Sequence, residues 1–304
     1  MYIPFLKYKK IFFSISGTLV ILSLISFAVF GLNFGIDFTG GSILEVEFKT
    51  ERPNLELIKD KLSEFNFKEQ SLQLAGEKSL LIRVKQTNID IGTQEKVIEK
   101  LKELDEIQEK SHGFESISPV IGGELKEKTK IVIILSLLAI ILYIAFAFRR
   151  ISRPVSSWQY GLAAVIALFH DVLIPLGIFS VLGVLKDVQV TIPVVTALLT
   201  IFGYSVNDTV VIFDRTRENL LKKIGLTYDD TVEVSLNQTL TRSINTSLTT
   251  LFVLFAIFFF GGETLKYFSL VLILGIICGT YSSMFLASPI LVSWLKWREK
   301  RKVK

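Results

Sequence analysis

The chain has 304 residues, half of them apolar and 21% charged, and its mean hydropathy is +0.50. This composition excludes an ordinary soluble protein of two domains and indicates a membrane protein. Cys278 is the only cysteine, which excludes an internal disulfide, and with two histidines the chain has too few ligands for an ordinary zinc site. Neither a Walker A motif nor a Gly-x-Gly-x-x-Gly motif is present, so no motif indicates ATP or another cofactor.

Six stretches contain no charged residue or a single one. They are residues 11–36, 131–148, 154–185, 188–213, 234–262 and 267–295. Each is long enough to cross a hydrocarbon core of about 30 Å as a helix, which predicts six membrane spans. The first stretch is longer than the apolar region of a signal peptide and has no cleavage site after it, so we predict a retained anchor.

Basic residues cluster in the segments before span one, after spans two and four, and in the tail 296–304. The positive-inside rule therefore predicts that both termini are cytoplasmic. Residues 37–130 carry 15 basic and 19 acidic side chains, whereas the rest of the chain carries 19 and 10. The net charge of +5 thus marks the cytoplasmic membrane face and its lipid, and we expect no nucleic-acid partner.

Residues 37–130 lie between spans one and two and are predicted to form an extracytoplasmic domain. Strand-like alternation covers 42–48, 71–75, 79–85 and 114–121, helical spacing covers 54–65 and 94–108, and 76–78 suit a hairpin. The order β-α-β-β-α-β is that of the ferredoxin-like fold. The domain has no cluster of catalytic residue types, so we predict a binding module and not an enzyme.

Two opposite charges are predicted at similar depth inside the membrane. Asp208 lies six residues before Asp214, and Arg242 lies nine residues after Glu233, which are the nearest charges outside their spans. Both are therefore about 10 Å inside the cytoplasmic boundary on consecutive helices, and they can pair. The arginine would favour the ionised form of the carboxylate, whereas burial would favour the protonated form. The pair is therefore either a proton relay or a static ion pair between two helices.

Polar neighbours favour the relay. Asn207 flanks Asp208, and the fifth span has a hydroxyl-rich face that includes Thr246, although small polar side chains also serve helix packing. Asp171 lies near the middle of the third span, next to His170, which is either a group that titrates near neutral pH or a hydrogen-bond donor between helices.

Three further patterns concern packing and the cytoplasmic side. Gly275 and Gly279 form a Gly-x-x-x-Gly pattern that suits close helix approach. Residues 214–225 are basic and amphipathic, which predicts a helix on the cytoplasmic surface, within a loop 214–233. Thr227 and Asp230 fit a capping box at the approach to span five.

Five motifs carry a family resemblance, and together they extend over most of the chain. They are residues 35–41 (GIDFTGG), 167–172 (ALFHDV), 203–211 with 213–219 (GYSVNDTVV, FDRTREN), 237–250 (NQTLTRSINTSLTT) and 279–283 (GTYSS). With them the chain resembles the SecD/SecF family of the bacterial Sec protein-export machinery, a branch of the RND superfamily. Ile117-Ser118-Pro119 departs from the usual Val-Gly-Pro of that family.

The resemblance implies a polytopic α-helical membrane protein with half of an RND-type body, which a separate SecD completes to twelve helices. It implies a subunit that, with SecD, uses the proton motive force to drive preprotein translocation across the bacterial cytoplasmic (inner) membrane. Asp208 would bind the proton and Arg242 would be its switching partner, and Gly35, Asp37, Gly40 and Gly41 would form a hinge. The implied partners are SecD, the SecYEG channel, YajC and unfolded preprotein.

Several alternatives remain open at this point. The coupling ion is H⁺ or Na⁺, and a neighbouring arginine favours H⁺. An RND-type exporter of lipid or small molecules would need a larger outer domain than residues 37–130. A non-motor scaffold would allow an apolar pair in place of Asp208 and Arg242. An intramembrane aspartyl protease using Asp171 and Asp208 would need a Gly-x-Gly-Asp motif, which the sequence lacks.

Overall fold

The structure is a computed structural model that describes residues 2–49, 52–65, 67, 70–75, 78–85, 89, 91–105, 107, 113–147 and 154–302. Its elements in chain order are α1 (Lys9–Phe30), α2 (Ile36–Thr39), β1 (Gly41–Glu47), α3 (Leu55–Ser63), β2 (Gln70–Ala75), β3 (Ser79–Val84), α4 (Ile91–Lys102), β4 (Gly113–Ile117), α5 (Pro119–Ala147), α6 (Ser157–Lys186), α7 (Ile192–Leu221), α8 (Tyr228–Phe260), α9 (Glu263–Ser282) and α10 (Ser288–Lys302). A 3₁₀ turn (Leu6–Tyr8) precedes α1, and a π-helical turn (Ser283–Ala287) joins α9 to α10.

Among the described residues, six helical stretches are long and apolar enough to cross a membrane. They are Leu6–Phe30, Pro119–Ala147, Ser157–Lys186, Ile192–Leu221, Tyr228–Phe260 and Leu265–Arg301. This confirms the prediction of six spans and of a multi-pass membrane protein.

The second span begins earlier than its charge-free run. Helix α5 starts at Pro119, which suits the first turn of a helix because its missing N–H would have no partner there. Its charged first part is stabilised by the pairs Glu124–Lys128 (2.7 Å) and Glu127–Lys130 (2.6 Å), one helical turn apart. The strand predicted over 114–121 therefore ends at Ile117.

The predicted surface helix after span four is the continuation of α7, which runs to Leu221. Glu218 accepts hydrogen bonds from Arg215 and Lys222, each at 2.6 Å, so opposite charges at helical spacing prolong the helix. The predicted loop 214–233 is correspondingly reduced to the few residues between α7 and α8. The predicted capping box is confirmed, with Asp230 N–H donating to Thr227 Oγ1 (3.2 Å) and Thr227 N–H to Asp230 Oδ2 (3.0 Å).

The chain divides into two compact units. The first comprises Met1–Gly31, Val132–Ile178 and Pro193–Lys304, and the second comprises Leu32–Ile131 and Phe179–Ile192. We call the first the membrane unit and the second, after the side of the membrane predicted for residues 37–130, the outer unit. Helices α5, α6 and α7 each have residues in both.

The outer unit contains an antiparallel sheet of strand order β2-β3-β1-β4. Ser42 of β1 lies opposite Val84 of β3 and Ser116 of β4. Helices α3 and α4 pack on one face, over a core that includes Leu44, Val46, Ile58, Leu62, Ile82, Val97 and Leu101. Strand order and chain order are those of the ferredoxin-like fold, as predicted. Gly76 and Glu77 of the predicted hairpin lie outside the described residues.

Candidate functional site

Asp208 is a buried carboxylate between two helices of the membrane unit. It lies on the face of α7 that also buries Ser205, Thr209 and Ile212, at the spacing expected for one side of a helix. Its Oδ1 accepts a hydrogen bond from Ser243 Oγ of α8 at 2.6 Å. Its Oδ2 is buried without a hydrogen-bond partner among the residues that the structure describes. Such an oxygen is costly unless a proton or another group satisfies it.

Arg242 does not form the predicted ion pair with Asp208. The contact from α8 to this carboxylate is made by Ser243, and neighbouring helix residues point about 100° apart, so the backbone directs Arg242 toward another side of α8. Arg242 is exposed and lines an open cleft of about 660 Å³ together with Tyr143, Val210 and Gln238. In this structure Asp208 is therefore held by a hydroxyl, and the guanidinium lies to one side.

Asp171 joins three helices. Its Oδ1 hydrogen-bonds His170 Nδ1 at 2.8 Å, and its Oδ2 accepts from Ser205 Oγ of α7 (2.5 Å) and Ser282 Oγ of α9 (2.7 Å). His170 stacks on the ring of Tyr281, with 6.1 Å between centroids. The carboxylate is fully buried with both oxygens hydrogen-bonded.

Further hydroxyl pairs lie beside the two carboxylates. Thr209 and Ser283 are 2.8 Å apart, and Ser247 and Thr280 are 2.5 Å apart. We call these two pairs, with Asp171, Asp208 and the serines that bind them, the polar network. It connects α6, α7 and α8 with α9 and the π-helical turn. A π-helical turn is rare and often marks a functional site.

The other predicted relay residues lie outside this network. Asn207 is exposed and lines a second cleft, of about 400 Å³, beside Tyr143. Thr246 is exposed, and its hydroxyl donates to the carbonyl of Arg242 at 2.9 Å. Ser205 and Ser282 were not predicted as partners of Asp171. The sequence signal for these two serines is weak. Ser205 lies three positions before Asp208, and Ser282 lies three positions after Gly279.

The predicted glycine motif lies in the outer unit. Gly40 and Gly41 have φ of +73° and +139°, which favour glycine. A Cβ atom on Gly40 would lie 2.6 Å from Pro119 Cα, so this turn has no room for a side chain. Asp37 Oδ2 accepts a hydrogen bond from the N–H of Ile192, the first residue of α7, at 2.8 Å.

No three His, Cys, Asp or Glu side chains are grouped to hold a metal ion in the described part of the chain. The chemistry that the arrangement supports directly is the exchange of a proton and of hydrogen bonds at carboxylates and hydroxyls.

Known proteins resemble the chain along most of its length. Residues 96–297 match the family described as "Protein export membrane protein SecD/SecF, C-terminal", and residues 25–51 match "SecD/SecF GG Motif". Protein translocase subunit SecF of Thermobaculum terrenum is 40% identical, over 96% of this chain and 94% of its own. The subunit of that name from Haemophilus influenzae is 37% identical, over 94% and 84%.

Among solved structures, the chain is similar to SecDF from Thermus thermophilus, described as a translocon-associated membrane protein. The TM-score is 0.84 and the identity 31%, over 97% of this chain but only 39% of that one. A second SecDF structure, titled as a super-membrane-facing form, gives a TM-score of 0.70. The similarity extends over the spans and the sheet and confirms the fold class. The chain belongs to the SecD/SecF family, on its SecF branch.

Proposed function

We propose that the chain is the SecF subunit of a Sec translocase, which works with SecD to couple the proton motive force to preprotein translocation. The observation that carries this proposal is the buried Oδ2 of Asp208, which has no hydrogen-bond partner in the described part of the chain. A carboxylate held by one serine hydroxyl can accept a proton without breaking that bond, and it loses its charge on doing so. A charged and a neutral Asp208 favour different surroundings, so ion binding can change how α7 packs.

A second membrane protein is expected to cover α8. Arg242, Asn245, Thr246 and Thr249 are exposed along this span. Exposure of a charge and an amide to lipid is unfavourable, and such groups normally face another helix or water. The chain spans 39% of the matched SecDF chain, and a separate SecD of complementary length would supply the covering helices.

We further propose that the chain lies in the bacterial inner membrane with both termini cytoplasmic. The basic residues at the ends of spans one, four and six support this orientation. The outer unit would then meet the preprotein as it leaves the SecYEG channel, and YajC would be an additional partner. The coupling ion is H⁺ in this proposal, with Na⁺ as the other outcome of the test.

The test uses inverted membrane vesicles that contain the chain with SecD and SecYEG. Preprotein arrested part-way across is followed after ATP removal, with and without an imposed pH gradient. We expect gradient-dependent completion in the wild type and its loss in Asp208→Asn. The matched control is Asp214→Asn, because Asp214 is an exposed carboxylate on the same helix outside the polar network.

Two results would contradict the proposal. Completion by Asp208→Asn at the wild-type rate would remove Asp208 from the coupling site. Completion that ignores both a pH and a sodium gradient would favour a scaffold without motor function.

A further inference from the structure

The start of the outer unit is tied to the loop between α6 and α7. Val190 N–H donates to Asn33 O (2.7 Å), and Gly35 N–H donates to Val190 O (2.9 Å). Asn33 Nδ2 also donates to Asp187 Oδ1 at 2.7 Å. Backbone and side-chain hydrogen bonds thus join two segments that are far apart in sequence. The last of these bonds along the chain is the one between Ile192 and Asp37.

The contact between Asp37 and Ile192 caps a helix from a distance. The first N–H groups of a helix have no partner within it, and a nearby residue in sequence usually satisfies them. Here the acceptor is a carboxylate 155 residues away, and its negative charge is favourable at the positive end of the helix. Gly35 allows the close approach, because a Cβ atom there would lie 3.0 Å from Thr191 Cγ2.

The other side of Asp37 is fixed to the sheet. Helix α2, which contains Asp37, leads through Gly40 and Gly41 directly into β1. Gly122 of α5 packs against the backbone of α2, where a Cβ atom would lie 3.0 Å from Gly40 N. One short connection therefore leads from the first N–H of α7 through the Asp37 side chain to β1.

We propose that Asp37 is a positioning residue that couples α7 to the sheet of the outer unit. Asp208 lies 16 residues after Ile192 on the same helix, a distance of about 24 Å along its axis. A helix is stiff along its axis, so a displacement caused at Asp208 reaches Ile192. The Asp37 carboxylate, which accepts the hydrogen bond from Ile192, transmits this displacement to α2 and β1. The motif 35–41 then acts as a clamp at this contact. This inference rests on the proposed function, since it assigns the route by which Asp208 acts on the outer unit.

The test is hydrogen exchange on the full chain reconstituted with SecD in lipid nanodiscs. In the chain with Asp37 intact, we expect Asp208→Asn to change the exchange rates of amides in β1 and in the first turn of α7. In Asp37→Ala, the first turn of α7 should exchange about fivefold faster, as expected for the loss of a capping bond. The response of β1 to Asp208→Asn should then disappear.

Two further variants separate positioning from simple loss of structure. Asp37→Asn keeps an acceptor oxygen and should retain the response of β1. Ile192→Pro removes the donor instead, at a position where proline is tolerated in a helix, and should abolish the response with Asp37 unchanged. Glu124→Gln, which removes a carboxylate charge from the outer unit away from this contact, should behave as the wild type.

A response of β1 that persists in Asp37→Ala and in Ile192→Pro would overturn the inference. So would the absence of any response of β1 to Asp208→Asn when Asp37 is intact. The exchange measurement does not depend on preprotein or on an ion gradient. A failure of the vesicle assay with a positive exchange result would therefore contradict the proposed function alone.

Discussion

Two buried aspartates of the same unit differ in how their oxygens are satisfied. Asp171 has a partner for each oxygen, from its own helix and from two others, and a carboxylate bonded in this way holds helices together. Among the described residues, Asp208 has Ser243 as the partner of one oxygen and no hydrogen-bond partner for the other. The two carboxylates therefore differ in their capacity to accept a further hydrogen bond or a proton.

A double-mutant cycle on Asp208 and Ser243 measures their interaction. A hydrogen bond to a charged group contributes about 1.5–3 kcal/mol, so Ser243→Ala should lower the free energy of unfolding by about that amount. In the Asp208→Ala background the same substitution should cost clearly less, because the acceptor is gone. Thr249→Ala removes a hydroxyl that donates to two carbonyls of its own helix, and it is the control in a denaturant titration of the reconstituted protein. Equal costs in both backgrounds would exclude the bond.

The sequence predicts the position of a residue along a helix, but not the direction of its side chain. Counting from the nearest charges placed Asp208 and Arg242 at similar depth, which is an axial coordinate. Their pairing depends also on rotation about each helix, and there Ser243 takes the place that Arg242 was predicted to occupy. The serines that bind Asp171 come from two other helices, and only tertiary packing brings them together.

At the scale of elements, α9 packs closely on α7 through its glycines. A side chain at Gly275 would overlap Ile201, and one at Gly279 would lie 3.2 Å from Ser205 Cβ. This agrees with the predicted Gly-x-x-x-Gly contact, which the spacing alone revealed. The helix ends were less predictable, because ion pairs along α5 and α7 extend both helices beyond their charge-free runs.

Gly275→Ala should destabilise the membrane unit by about 1–3 kcal/mol, because the added methyl group must displace Ile201 or separate α9 from α7. The same substitution at Gly203 is a matched control, since a Cβ atom there meets nothing within 4 Å. Denaturant titration of both variants checks the difference. Equal stabilities would contradict the close packing of the two helices.

The first residues of the chain are tied to the start of α8. Asn237 Oδ1 accepts from Ile3 N–H (2.8 Å), Asn237 Nδ2 donates to Ile3 O (3.0 Å), and Glu233 Oε2 accepts from Leu6 N–H (2.9 Å). Phe5 is buried between these bonds. An asparagine of the family motif thus holds the backbone at the beginning of span one.

Asn237→Ala should release this segment, with a loss of about 1 kcal/mol for each hydrogen bond. We expect faster proteolysis near the amino terminus, measured by limited digestion of the reconstituted chain. Asn245→Ala, which changes an exposed asparagine on the same helix, should digest like the wild type. Unchanged digestion of Asn237→Ala would exclude a holding role for this side chain.

At the scale of the whole molecule, the exposed polar side chains of α8 contrast with the apolar surface of α1. Both helices are exposed over much of their length. Helix α8 presents Arg242, Asn245, Thr246 and Thr249 there, whereas the exposed residues of α1 are mostly apolar, apart from small hydroxyl residues such as Thr18. Lipid suits the surface of α1, and a protein partner suits the surface of α8.

A spin label can test this contrast in a chain with Cys278→Ser. On Thr249→Cys of α8, we expect collisions with dissolved oxygen to fall when SecD is present, because its helices replace lipid there. On Leu22→Cys of α1, an exposed apolar position, the collision rate should stay the same. Equal behaviour of the two labels would place the SecD contact away from α8.

The π-helical turn in the last span has a consequence for chain length. Removing one residue from an α-helix rotates everything after it by about 100°. A π-helical turn contains one residue more than an α-helical turn without changing the direction that later residues face. Span six can therefore lose one residue within Ser283–Ala287 and still direct Ser282 at Asp171 and Lys296 at Asp229. A deletion between Ser288 and Leu295 would instead rotate Lys296 by about 100° relative to Ser282, and one of the two contacts would be lost.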